Sequence, residues 1–232
     1  MKELHLLSAG AAQGVAVALI PTFRAAAGAE VRATFRTVGA LKEMLLAAKP
    51  CDVLVATAAM LDELARDGRV VPASIRTLGR VQTGIAVRSG EPLPAIGSRA
   101  LLRASLAAAT GIYLPDPERA TAGIHFVKVL RELGLHDDLA PRLHAYPNGA
   151  SAMEALASSR GRGLIGGTQV TEINATPGVT LVGTLPAPFE LATTYAAAAC
   201  TSARAPELAR RFVQMLTGPD SLQLRRQAGF EP

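Results

Sequence analysis

Short apolar runs that read as strands alternate with longer runs of helical period from the start of this 232-residue chain, and that alternation restricts it to an α/β fold with mostly parallel sheets. Leu4 to Leu7, Val31 to Phe35 and Asp52 to Thr57 read as strands. The intervening stretches Ala11 to Ala27, Gly39 to Ala48 and Ala59 to Asp67 read as helices, giving three strand–helix units in succession. Pro21 lies inside the first helix and predicts a kink or break there, because proline lacks the N–H that the helix needs. A further strand, Arg80 to Val87, leads into a loop with proline and glycine from Ser89 to Gly97, where a second lobe would begin. Beyond it the pattern resumes. Ser98 caps a helix to Ala108, Ile112 to Leu114 is a short strand, and Ala122 to Leu133 is a helix ended by Gly134. Asn148 caps the helix Gly149 to Ser159, Leu164 to Gly166 is a buried strand, and Val179 to Leu185 and Thr193 to Cys200 are strands. Pro206 opens the last long helix, Glu207 to Leu216.

Composition removes several functional classes. Hydrophobic residues make up 49% and charged residues 19%, the balance of a well-packed globular protein. The formal charge of +5 comes from 24 Lys and Arg against 19 Asp and Glu, without a basic block. With 4% aromatics and no Trp, stacking platforms are scarce, so no nucleic-acid partner is expected and the positive excess favours an acidic small molecule. His5, His125, His136 and His144 show no ligand spacing, so no metal site is expected. Neither G-x-G-x-x-G nor a Walker pattern is present, so no cofactor is expected, and there is no G-x-S-x-G elbow. Cys51 and Cys200 read as buried thiols in preference to a disulfide. The chain runs from Met-Lys-Glu-Leu-His-Leu-Leu straight into its first strand, and no segment is long and apolar enough for membrane insertion. As written it reads as cytoplasmic, or periplasmic if a leader has been removed.

The turns between strands and helices carry the candidate chemistry. In Tyr113-Leu114-Pro115-Asp116-Pro117-Glu118-Arg119-Ala120-Thr121-Ala122-Gly123-Ile124, an apolar run stops, turns and restarts as a helix with Thr121 as its expected cap. The first N–H groups of a helix lack intrahelical partners and lie at the positive end of its dipole, so such a start suits an anion. Ser8, Gly10 and Ala11 in the first turn, Arg36, Thr37 and Val38 in the second, and Thr57 after the third strand are candidate ligand contacts. Thr121, Ala122, Asn148, Gly149, Gly167 and Thr168 are the matching candidates further along. In open α/β sheets, ligands bind beyond the carboxyl ends of the strands, which is where all of these turns fall.

The order Leu4 through Ala11, Phe23 through Gly28, Phe35 through Leu41 and Pro50 through Val55 resembles the molybdate-type substrate-binding proteins of ABC importers. Asp116-Pro117 with Thr121 through Ile124, Leu130 through Leu139, Gly218-Pro219 and Gly229-Phe230 extend the match over nearly the whole chain. The resemblance implies a type II periplasmic-binding fold whose two α/β lobes, residues 1–80 plus 196–232 and residues 81–195, hold a ligand between them by helix N-termini and hydroxyls. It also implies an ABC permease as partner. Where the molybdate binders carry serines in the first two loops, this chain has Ala11 and Val38, and Gly166 stands where they carry a tyrosine. The cleft is then roomier and less polar, and the expected guest is an organic carboxylate. An aconitate isomerase is a relative of those binders, so the alternative is an isomerase of unsaturated carboxylic acids, with Glu172, Asp116, His125 or Tyr195 moving the proton.

Overall fold

The computed structural model describes residues 2–232. It divides into two compact units, one reaching to Val81 and resuming over Thr193–Pro232, the other Gln82–Ala192. In the first, β1 (Lys2–Ala9), α1 (Gln13–Ala27), β2 (Ala29–Arg36), α2 (Val38–Leu46), β3 (Val53–Thr57) and α3 (Ala58–Arg66) follow the expected alternation. The first unit's sheet therefore begins with three strands in parallel, β1 pairing β2 on one side and β3 on the other. Their carboxyl ends, at Ala9, Arg36 and Thr57, share one edge. Helix α1 runs through Pro21 unbroken. Pro21 and Val17 one turn earlier are both exposed, so the Val17 carbonyl that loses its partner reaches water.

Within β4 (Arg76–Arg88) the chain passes into the second unit. There it builds α4 (Arg99–Ala108), β5 (Gly111–Pro115), α5 (Thr121–Glu132), α6 (His136–Leu139), β6 (Leu143–Tyr146), α7 (Gly149–Ser158), β7 (Leu164–Gln169), α8 (Val170–Asn174) and β8 (Val179–Thr184). Strand order in this unit is β8-β4-β7-β5-β6. β5 is parallel to β6 and β7, while β4 is antiparallel to β7 and β8. The two faces of this sheet bury different cores. Ile85, Leu102, Phe126, Leu130, Ile165 and Phe189 pack on the α5 face, and Ala86, Met153, Leu156, Leu164 and Ile173 on the α7 face. Adjacent residues of β4 and of β7 thus divide between the faces, as period-2 alternation demands.

The chain returns through β9 (Ala192–Ala199), antiparallel to β3, and ends with α9 (Pro206–Thr217) and α10 (Leu222–Ala228). Phe23 of α1 meets Phe212 of α9 edge to face, with ring centroids 4.8 Å apart. Cys51 and Cys200 are buried free thiols with Sγ atoms 3.2 Å apart. The hydrogen bond between them and then burial push the Cys51 thiol far above its ordinary range, so it stays protonated and unreactive.

Candidate functional site

The carboxyl edge of β1, β2 and β3 collects the expected residues of the first unit, and several of them also hydrogen-bond within the fold. Ser8 is fully buried and donates to the carbonyl of Ala9 at 3.1 Å. Gly10 and Ala11 form a short 3-10 turn ahead of α1, without a side-chain cap. The exposed Arg36 turns back to donate to the carbonyl of Phe35 at 2.8 Å. Thr37 caps α2 by accepting from Ala40 N–H at 3.4 Å, and Val38 begins that helix. Thr57 caps α3 in the same way, accepting from Met60 N–H at 3.3 Å. A cavity of about 320 Å³ in this unit, lined by His5, Lys49, Cys51, Asp52, Arg69 and Arg204 among others, lies at the opposite end of β3.

In the second unit the carboxyl ends of β5, β6 and β7 bring together the starts of α5, α7 and α8. Helix α7 is capped by Asn148, which accepts from Ser151 N–H at 2.9 Å in a reciprocal capping box. Its first residue, Gly149, donates its N–H to the carboxylate of Glu172, which also takes the N–H of Gln169 and, at 2.5 Å, the hydroxyl of Thr168. The positive end of α7 is therefore filled by a side chain of the protein itself. Burial pushes the Glu172 carboxyl above its ordinary value of 4.5 against the opposing effect of these three hydrogen bonds. Gly149 and Thr168 are engaged within the fold, and Gly167 lies against the ring of Phe126 in the core, where an added Cβ would come within 2.4 Å of it.

Helix α5 starts differently. Thr121 is its first residue and not its cap: Ala120, in extended conformation, holds that position and no side chain caps the helix. The turn before it is built by Asp116 instead, which accepts from Glu118 N–H at 2.8 Å and Arg119 N–H at 3.0 Å, an arrangement that an aspartate two residues ahead of the turn makes locally. Among the described residues no acceptor takes the N–H groups of Thr121, Ala122 and Gly123, and the first turn contains no acidic side chain. Ala122 is 2% exposed and Gly123 is buried, while Thr121 at the start of the helix is half-buried.

Residues that sequence reasoning passed over lie on the same side. Gln169 is 3% exposed and Thr83 1%, yet the Gln169 amide, at both its nitrogen and its oxygen, and Thr83 Oγ1 have no hydrogen-bond partner among the described residues. Thr83 and Gln169 are directly paired across β4 and β7, which turns them to one face. The signal in sequence was Thr168-Gln169, two polar residues that end an otherwise apolar strand. Of the four proton carriers considered, Glu172 is held as above, Asp116 forms the turn, and His125 Nε2 contacts the carbonyl of Phe189 at 2.7 Å. Tyr195 is 2% exposed, its ring edge to face with Phe230. Among the described residues no three His, Cys, Asp or Glu side chains come together as a metal site.

Residues 4–231 match the family described as bacterial extracellular solute-binding protein. The chain belongs to that family. A relative from a Pseudomonas species, aconitate isomerase, is 26% identical over 235 residues, covering 99% of this chain and 87% of that one. Among solved structures, the periplasmic molybdate-binding protein of Azotobacter vinelandii superimposes with a TM-score of 0.82 at 19% identity, covering 99% of each chain. PEB3 from Campylobacter jejuni, solved with L-phospholactate bound, superimposes with a TM-score of 0.71 at 15% identity over 99% of each chain. At those identities the likeness establishes the fold, a two-lobed α/β periplasmic-binding architecture, as the residue order implied. No helix among the described residues is long and apolar enough to cross a membrane.

Proposed function

We propose that this solute-binding protein takes a small organic carboxylate, anchored by the first turn of α5. The observation that carries this reading is the contrast between two helix starts in one unit. Glu172 neutralises α7, whereas the N–H groups of Thr121, Ala122 and Gly123 are left without acceptor or acidic neighbour. Three converging N–H groups at the positive end of a twelve-residue helix suit a carboxylate oxygen. In the first unit's own turns, Ala11 and Val38 bring no hydroxyl and that of Ser8 donates to the carbonyl of Ala9, so these turns offer few donors to a compact tetrahedral oxyanion. The names of the relatives, covering molybdate, L-phospholactate and aconitate, are consistent with an anionic ligand. An ABC-type permease downstream would fit a protein of this family, with the chain working outside the cytoplasm.

The isomerase alternative draws on the 26% identical relative. Binding is favoured because Glu172, Asp116 and His125 already hold hydrogen-bond partners within the fold. A thermal-shift series with di- and tricarboxylates, sulfate and molybdate tests the reading. A ligand at a hundred times its Kd adds about 2.7 kcal/mol, which raises Tm by roughly 5 to 10 °C in a protein of this size. The expected outcome is a shift of that order with at least one carboxylate and a smaller one with the oxyanions. Oxyanions shifting Tm while no carboxylate does would reverse the assignment. Turnover of cis- or trans-aconitate followed by NMR would move the reading to the isomerase.

A further inference from the structure

We infer that Gln169 is a specificity-determining residue that reads a hydroxyl group on the ligand, so that the preferred ligands are hydroxycarboxylates. This rests on the carboxylate reading of α5 and deepens it. Within β7, Ile165 belongs to the core on the α5 face and Gly167 lies against Phe126 of that helix, while Leu164 and Gly166 face Met153 and Leu156 of α7. Alternation places Gln169 on the α5 face, one step past Gly167 toward the carboxyl end of the strand. The start of α5 is at that end too: a Cβ on Gly123 would lie within 2.4 Å of the carbonyl oxygens of Pro115 and Asp116, where β5 finishes beside β7. The unpartnered amide and the unpartnered N–H groups therefore stand on one face at one end of the sheet, with Thr83 Oγ1 beside the amide.

The chemistry follows from what a buried primary amide requires. Its nitrogen donates and its oxygen accepts, and whichever way the group is turned, neither has a partner. A fully ionised carboxylate or oxyanion offers acceptors only, so it satisfies the nitrogen and leaves the oxygen orphaned. A hydroxyl on the ligand donates to the amide oxygen while its own lone pairs accept from the amide nitrogen or Thr83 Oγ1. A site built to bond a hydroxyl discriminates strongly against the analogue lacking it, because the buried polar group is then left unpaired.

Isothermal titration calorimetry of the full chain with two probe pairs, malate against succinate and citrate against tricarballylate, tests this. The expected result is that in at least one pair the hydroxylated acid binds tighter by about tenfold or more. In Gln169→Leu that preference falls to within about threefold while the acid lacking the hydroxyl still binds. Equal affinities within both pairs in the unmutated protein overturn the inference and leave the carboxylate reading standing, a comparison that needs no variant. A hydroxyl preference retained in a folded Gln169→Leu removes Gln169 as its source. Binding of sulfate or molybdate with no binding of any carboxylate removes both readings together.

Discussion

Replacing Asp52 by alanine lowers the unfolding free energy by about 3 to 5 kcal/mol, the cost of orphaning several donors held by one buried carboxylate. Asp52 is 1% exposed and sits just ahead of β3. One carboxylate oxygen accepts from His5 N–H at 2.7 Å, with His5 Nδ1 at 3.3 Å. The other accepts from Arg204 N–H at 2.6 Å and Ala205 N–H at 3.2 Å, immediately before α9. A single side chain thus ties β1 to the returning segment that closes the first unit, and it neutralises the start of a helix that has no capping side chain of its own. At roughly 2 to 4 °C per kcal/mol for a chain of this length, Tm falls by about 6 to 20 °C. Asn keeps the shape but turns a donor toward one set of N–H groups, so Asp52→Asn falls between the wild type and Asp52→Ala. A loss below about 1 kcal/mol by chemical denaturation would mean that water replaces the carboxylate at little cost.

Gly149→Ala produces the second large loss, and its direction is the diagnostic part. At an ordinary first helical position, alanine for glycine stabilises by about 0.4 to 1 kcal/mol through the unfolded state. Here the added Cβ would fall 1.9 Å from Glu172 Oε2 and 2.2 Å from Thr168 Oγ1, so the carboxylate must leave the three donors it holds. The expected outcome is a destabilisation of about 2 to 4 kcal/mol, measured by urea unfolding with an unchanged m-value. A neutral or stabilising result would show that Glu172 does not clasp the start of α7.

The alternation of strand and helix was legible because it is local: Leu4, Leu6 and Leu7, or Val53 through Val55, state their burial in their own apolarity. What escaped was set by partners far along the chain. β6 went unread because Leu143–Tyr146 lies at the sheet's edge with exposed residues in its middle, leaving no buried alternation to see. β4 begins at Arg76, ahead of the expected Arg80, through Thr77, Leu78 and Gly79, where one buried leucine beside a glycine is too short a pattern to read as a strand. Thr121 looked like a cap by type and position, but the Asp116 turn ends one residue too soon for it to serve as one. Asn148 was recognisable as a cap because capping is decided within four residues, whereas Thr37 and Thr57, read only as ligand contacts, also prove to cap their helices. Glu172 and Gln169 could not be assigned from sequence, since what separates them is whether three donors of a neighbouring turn reach the side chain. One is satisfied by Gly149 and Thr168, and the other is left open.

The central claim, that the first turn of α5 holds the anion, is tested most directly by deleting one of its donors. Thr121→Pro removes a single N–H at the first helical position, where proline is well tolerated, and the preceding Ala120 at φ −98° and ψ 129° already has the conformation that a following proline requires. Thr121→Ala, which keeps the N–H, serves as the control for the lost hydroxyl. Titration calorimetry with the carboxylate that gives the largest thermal shift should show Kd raised by roughly 10- to 100-fold in Thr121→Pro, the worth of one charge-assisted hydrogen bond. Tm of the free protein should stay within about 2 °C of the wild type, since no bond within the fold is lost. An unchanged Kd in a stable Thr121→Pro protein would contradict the account and place the anion elsewhere.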